Sequence, residues 1–291
     1  MSVSRVAGSV ATRTAAGPDA PPPPTPAPGA DPAPAVLTAV EPYVVRATIN
    51  RPARRNAIDL AVIEGLERAI DLADATGARA LVLRGAAGTF CAGADLRVLE
   101  EMSVDPHRVE TFMVRLALVL RRLETARFVS VAVVEGHAVA GGCEILLACD
   151  ISVAATDARI GDRHLEYGLA PAAGGSVRLA RTLPKARGNY LLLTADLLTG
   201  REAADWGLVS VAVPPAHLES RVDALVDRLA GHSADALAVV KKMVWTADHE
   251  PRPDAMSWER RLFLRHLGSD DVSEGLRAFR ERRRPAFRAD D

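Results

Sequence analysis

Two short turns carry the residues best suited to chemistry: Phe90-Cys91-Ala92-Gly93-Ala94-Asp95 and His137-Ala138-Val139-Ala140-Gly141-Gly142-Cys143-Glu144. Small side chains let backbone N–H groups approach a ligand, and the second turn opens a helix whose N-terminal dipole favours negative charge. Two such N–H groups converging on a carbonyl oxygen form an oxyanion hole. Either turn alone reads as a tight turn packing a helix on a sheet. Further along, Asp162, His164, Glu166 and Tyr167 gather in one short stretch. Other catalytic patterns are missing: no G-x-G-x-x-G follows a strand, and there is no G-x-S-x-G elbow or H-E-x-x-H. The glycines at 136 and 141 are followed by Gly142 where a P-loop needs lysine. His137 reads as a lining residue, and His107, His217, His232, His249 and His266 as helix-face residues. No His, Asp, Glu or Cys grouping has metal-ligand spacing, so no metal is expected.

Those turns need elements to hold them. Residues 43–49 alternate like a strand, Asp59 then caps a helix with apolar Leu60, Ile63, Leu66 and Ile70, and 79–84 reads as a second strand. Asp105-Pro106 starts a helix running to about Ala126 with a stripe at Phe112, Leu116, Val119 and Leu123. Residues 129–134, nearly all Val and Ala, fit a strand buried on both faces. A short helix over 143–149 and a strand over 151–155 follow. Strand, turn, helix and strand thus repeat, which makes an α/β chain whose ligands bind at loops after strand C-termini. Beyond Ala180 the pattern predicts helices at 185–194, 201–206, 218–229, 234–247, 256–266 and 271–283.

The chain has 291 residues, and 9 of its 19 prolines fall in residues 1–35. That Pro/Ala-rich stretch has little apolar surface to offset chain entropy and reads as a disordered tail. The rest suits one large α/β unit: 36–200 as its core and 201–291 as a C-terminal helical region. A formal net charge of −1 and 4% aromatic residues argue against a nucleic-acid partner, despite the basic run at 280–284. No apolar run is long enough for a bilayer and no signal-peptide core is present, so no membrane partner is expected. Three cysteines, odd in number and set in apolar segments, fit a reducing cytoplasm.

Taken in order, the motifs resemble the crotonase (enoyl-CoA hydratase/isomerase) superfamily. Asn50-Arg51-Pro52 with Asn56-Ala57 is similar to its N-R-P-x-x-x-N-A opening, and 90–95 to its F-x-A-G-A-D loop. Gly141-Gly142-Cys143-Glu144 with Ala148-Cys149-Asp150 resembles its G-G-C-E and A-C-D segment. Gly168 to Leu179 matches G-x-x-P-x-x-G-G-x-x-R-L, then come L-T-G at 193–200 and Gly207-Leu208-Val209. The last, E-G-x-x-A-F-x-E-K-R-x-P-x-F, matches from Glu274 to Phe287 with Arg for Lys. Eight motifs in register are specific, and they cover nearly all of 36–287.

The resemblance implies a crotonase (ClpP-like) fold: repeated β-β-α units forming a spiral core, followed by C-terminal helices that complete the site or a trimer interface. It implies an acyl-CoA thioester substrate, coenzyme A being part of that substrate rather than a separate cofactor, and a homotrimer or homohexamer. The N–H groups of Ala94 and Gly141 would hold the thioester oxygen. Arg54, Arg55, Ala57, Ala92, Asp95 and Leu96 would line the CoA pocket, and Arg282 would meet CoA phosphates. Glu144 matches the first of the two acid/base glutamates of the hydratases; desolvation would raise its pKa and the helix dipole would lower it. The second glutamate position, in F-G-x-P-E-x-x-x-G, falls on His164.

Three readings of His164 stand side by side: an acid/base partner of Glu144 in hydration, dehydration or double-bond isomerisation; a group serving C–C cleavage; and a packed histidine without a chemical role. Glu166, two residues on, is a candidate replacement for the missing carboxylate; Asp162 and Tyr167 are weaker ones. The expected activity is that of an enoyl-CoA hydratase or isomerase, as in fatty acid metabolism. A C–C lyase, decarboxylase or β-dicarbonyl hydrolase is the alternative of the same class. A non-catalytic scaffold or RNA-binding homologue is the alternative of another class.

Overall fold

In the computed structural model, residues 33–287 are described. The expected Pro/Ala-rich tail therefore lies, for residues 1–32, outside the described residues. From Val36 the chain pairs strand β1 (Val36–Glu41) antiparallel with β2 (Val44–Ile49). Helix α1 (Leu60–Ala75) is started by Asp59, whose side chain accepts from the Val62 N–H, and it buries Val62, Ile63, Leu66 and Ile70. β3 (Ala80–Gly85), α2 (Leu96–Met102), α3 (Pro106–Thr125) and β4 (Val129–Val134) follow. All four residues of the predicted α3 stripe are buried, and every residue of β4 is buried, as its lack of alternation requires.

From β4 the chain alternates between two sheets. β5 (His137–Val139) leads into α4 (Gly141–Ala148), β6 (Ile151–Ala155) returns to the large sheet, and β7 (Arg159–Gly161) goes back to the small one. A 3-10 turn (His164–Tyr167), α5 (Gly175–Thr182), α6 (Lys185–Thr194), β8 (Leu198–Thr199), α7 (Gly200–Trp206) and β9 (Val211–Val213) follow. The large sheet has the order β1-β2-β3-β4-β6-β9, and the small one β5-β7-β8. Apart from β1-β2 and β7-β8 the neighbours are parallel. This arrangement has the repeated β-β-α units that the sequence resemblance implies.

α8 (Leu218–Ala230), α9 (Ala234–His249), α10 (Arg252–His266) and α11 (Asp270–Glu281) complete the described chain. The C-terminal segment is not helical throughout: β9 extends the large sheet, and α5 and β8 also escaped the sequence reading. A three-residue edge strand and a two-residue strand are too short to show a period of two. No helix among the described residues is long and apolar enough to cross a membrane.

Candidate active site

The 90–95 loop runs alongside β5. The Cys91 N–H donates to His137 O at 2.9 Å and the Val139 N–H to Cys91 O at 3.1 Å. On its other side, the Ile58 N–H donates to Gly93 O and the Asp95 N–H to Ile58 O, both at 2.8 Å. That bridge uses the peptides flanking Ala94, so the N–H of Ala94 itself points away from Ile58. Gly141 is the first residue of α4, where an N–H has no acceptor within the helix. Among the described residues neither N–H donates to protein. The two segments touch backbone to backbone: a Cβ built on Gly141 would lie 3.4 Å from Ala94 N, and one on Gly93, at φ +98, 3.4 Å from Gly141 N.

The N-R-P-x-x-x-N-A segment supports this loop. Asn56 is fully buried, donating through Nδ2 to Ala86 O and Thr89 O and accepting the Arg51 N–H at Oδ1. Arg51 pairs with both Asp59 and Asp95. The Asp95 carboxylate also accepts the Arg97 N–H to start α2, so its work is to hold the loop.

Glu144, in the first turn of α4, is 2% exposed. Its Oε1 accepts from the Gly175 N–H at 2.8 Å and the Ala173 N–H at 2.9 Å, while Oε2 accepts from no described residue. Burial pushes its carboxyl above the ordinary range; the N–H donors and the charge of His164 oppose this, and the nearby Asp162 adds to it. Among these influences, desolvation prevails.

His164 enters from β7. The Ala140 N–H donates to Gly161 O at 3.2 Å, setting the end of β7 beside the second turn. Asp162 is 2% exposed, and its carboxylate oxygens lie 2.9 and 3.0 Å from His164 Nδ1. With a carboxylate as acceptor, Nδ1 carries the proton and Nε2 is the nitrogen available for chemistry. Burial lowers the His164 pKa, but the hydrogen bond and charge of Asp162 and the charge of Glu144 outweigh it and leave it raised.

The two turns, Glu144 and His164 meet in one cavity of 340 Å³. Its lining includes Ala94, Gly141, Glu144 and His164, and also Arg54, Arg55, Ala57, Ala92, Asp95 and Leu96. Leu99, Met113, Leu116 and Leu169 supply apolar wall, while His137 and Arg163 add to the basic side. Burial and the charges of Arg55, Arg163 and Arg159 hold the His137 pKa down. Two expected residues are elsewhere. Glu166 does not line the cavity, because its carboxylate turns to Arg163 and is partly exposed. Arg282 forms the exposed C-cap of α11, outside the cavity lining. Asp162, ranked below Glu166 by sequence, is the carboxylate in contact with His164. Its signal was the D-x-H spacing, which lets a carboxylate reach the ring two residues on.

Known proteins resemble this chain over most of its length. The sequence model described as enoyl-CoA hydratase/isomerase matches residues 40–290. The probable enoyl-CoA hydratase echA8 of Mycobacterium bovis is 33% identical over 241 residues, covering 82% of this chain and 92% of that protein. The 2,3-dehydroadipyl-CoA hydratase of Escherichia coli K12 is 32% identical over 246 residues, covering 84% and 95%. The crystal structure of an enoyl-CoA hydratase from Bacillus anthracis superposes with a TM-score of 0.82 at 27% identity, covering 88% of this chain and all of that one.

Proposed function

The chain belongs to the enoyl-CoA hydratase/isomerase (crotonase) family of acyl-CoA enzymes, and from that premise we propose that it hydrates the α,β double bond of an enoyl-CoA, or runs the reverse dehydration. The observation that carries this reading is a single cavity holding two undonated N–H groups and two proton-transfer groups, Glu144 and His164, that feel each other's charge.

The thioester oxygen accepts from the Ala94 and Gly141 N–H groups. Charge grows on that oxygen as a nucleophile adds at Cβ, so fixed donors stabilise the enolate more than the ground state. Glu144, ionised, takes a proton from water through Oε2 as the water oxygen bonds to Cβ. His164, protonated and backed by Asp162, gives its Nε2 proton to Cα. In dehydration the neutral imidazole removes the α-proton and the Glu144 carboxylic acid protonates the leaving hydroxyl. Arg54, Arg55 and the backbone of Ala57, Ala92 and Leu96 face the CoA moiety, Asp95 bracing their loop, and Arg282 serves CoA phosphates only if a neighbouring copy supplies it. Exposed apolar side chains on α10 and α11, among them Met256, Phe263, Leu264 and Phe279, support assembly as a homotrimer or homohexamer. Three free cysteines support a cytoplasmic setting.

A second reading follows from His164 in the place of a carboxylate: the same pair moves a proton between carbons in isomerisation, or serves cleavage of a β-dicarbonyl thioester. Mass spectrometry after incubation with crotonyl-CoA and, separately, a β-ketoacyl-CoA distinguishes hydration from cleavage. Hydration raises the mass of crotonyl-CoA by one water and leaves the β-ketoacyl thioester whole. Unchanged crotonyl-CoA with a shortened β-ketoacyl product would select cleavage instead.

A further inference from the structure

We infer that Arg178 is a positioning residue for Glu144, its guanidinium clamping the 173–175 loop so that two backbone N–H groups hold the Glu144 carboxylate in place. The inference rests on the proposed role of Glu144 and extends it to a side chain that does not line the cavity. Arg178 Nη1 donates to Ala173 O at 2.7 Å, and Nε donates to Glu124 Oε1, on α3, at 2.6 Å. Both side chains are largely buried, 17% and 22% exposed. Ala173 is thus fixed on both sides: its C=O by Arg178 and its N–H by Glu144. Gly175, the second donor to Glu144 Oε1, opens the helix that carries Arg178. Between them Gly174 sits at φ +99, and a Cβ there would overlap the Arg178 guanidinium, so loop and clamp are packed without slack.

The geometry needs an arginine. Its planar fork presents separately directed N–H groups that reach a carbonyl on one side and a carboxylate on the other. A lysine has a single nitrogen and lacks that fork. The carboxylate of Glu124 compensates the guanidinium charge on the side away from the cavity.

The charged and polar groups facing Glu144 are His164 and Asp162 beyond β7 and the N–H groups of Ala173 and Gly175 ahead of α5; Arg178 and Glu124 stand behind that loop. The two N–H groups favour the ionised carboxylate. A loosened loop withdraws them, so the Glu144 carboxyl rises further and the acid limb of the rate profile moves to higher pH.

The test is kcat and KM against pH on a turned-over enoyl-CoA for the full-length wild type, R178K, R178Q, E124Q and E144Q. R178Q and R178K are expected to lose about 10- to 100-fold in kcat, as small misplacements of catalytic groups do, with KM within a few-fold and the acid limb displaced upward. E124Q moves the same way by less. If circular dichroism shows R178Q unfolded, R178K and E124Q decide. Wild-type kcat and acid limb in those two, with E144Q inactive, overturn the clamp and leave the Glu144 reading standing. A lower kcat with an unmoved acid limb also overturns it, since that is what general loosening of the fold gives. Full activity in E144Q would remove the Glu144 reading and the clamp with it.

Discussion

At the residue scale, the proposed hydration turns on which of two groups is charged at neutral pH. Water activation needs Glu144 ionised, and its carboxyl is raised by burial, so activity falls as pH drops through a value above the ordinary carboxylate range. Proton delivery to Cα needs His164 charged, and its pKa is raised by Asp162 and Glu144 against burial, so activity falls as pH climbs through a value above that of a free imidazole. The kcat profile should therefore be bell-shaped, its two limbs belonging to the coupled pair. D162N keeps an acceptor near Nδ1 but removes the charge, which should shift the basic limb to lower pH. H164A should cost about 100- to 10,000-fold in kcat, the usual range for an acid/base group. An unmoved basic limb in D162N would show that Asp162 does not set the His164 charge. Glu144 and His164 were legible because motif positions located them. The difference between Asp162 and Glu166 was not legible because neighbours in sequence reveal nothing of burial: Asp162 is enclosed and meets the ring, whereas Glu166 faces Arg163.

At the scale of elements, the donors exist because two loops and a short sheet are fastened together. Long periodic elements were read well: α1, α3 and β4 announce themselves through stripes and unbroken apolar runs. The small sheet was not, since β5, β7 and β8 hold three, three and two residues, and only pairing with distant segments defines them. Ala140 bears the cost of this tight assembly. It has φ 50 and ψ −120, a region that suits glycine, and such residues carry about 1–3 kcal/mol of strain. Replacing it by glycine relieves that strain and adds about 0.4–1 kcal/mol of unfolded-chain entropy. A140G should thus be as stable as the wild type or more so by up to about 2.6 kcal/mol, read from chemical denaturation midpoints. A clear loss of stability would mean that the methyl group packs usefully against Gly93. The neighbouring Gly142 allows no such exchange, because a Cβ there would overlap Cys91 O.

At the scale of the whole molecule, the site is assembled from segments around residues 54, 94, 141 and 164 that only the completed fold brings to one cavity. Alternation of strands between the two sheets does this: each return to the small sheet delivers one loop to the same edge, first the donor turn after β5 and then the Asp162-His164 pair after β7. The α/β class and its repeat were visible in sequence, whereas the second sheet and β9 depended on long-range pairing that leaves no local trace. The proposal that Glu144 acts beside a thioester held by Ala94 and Gly141 meets its sharpest test in turnover of an enoyl-CoA by E144A. In that variant kcat should fall by about 100- to 10,000-fold, with KM within a few-fold and the fold intact by circular dichroism. Near-normal kcat in a folded E144A would contradict it.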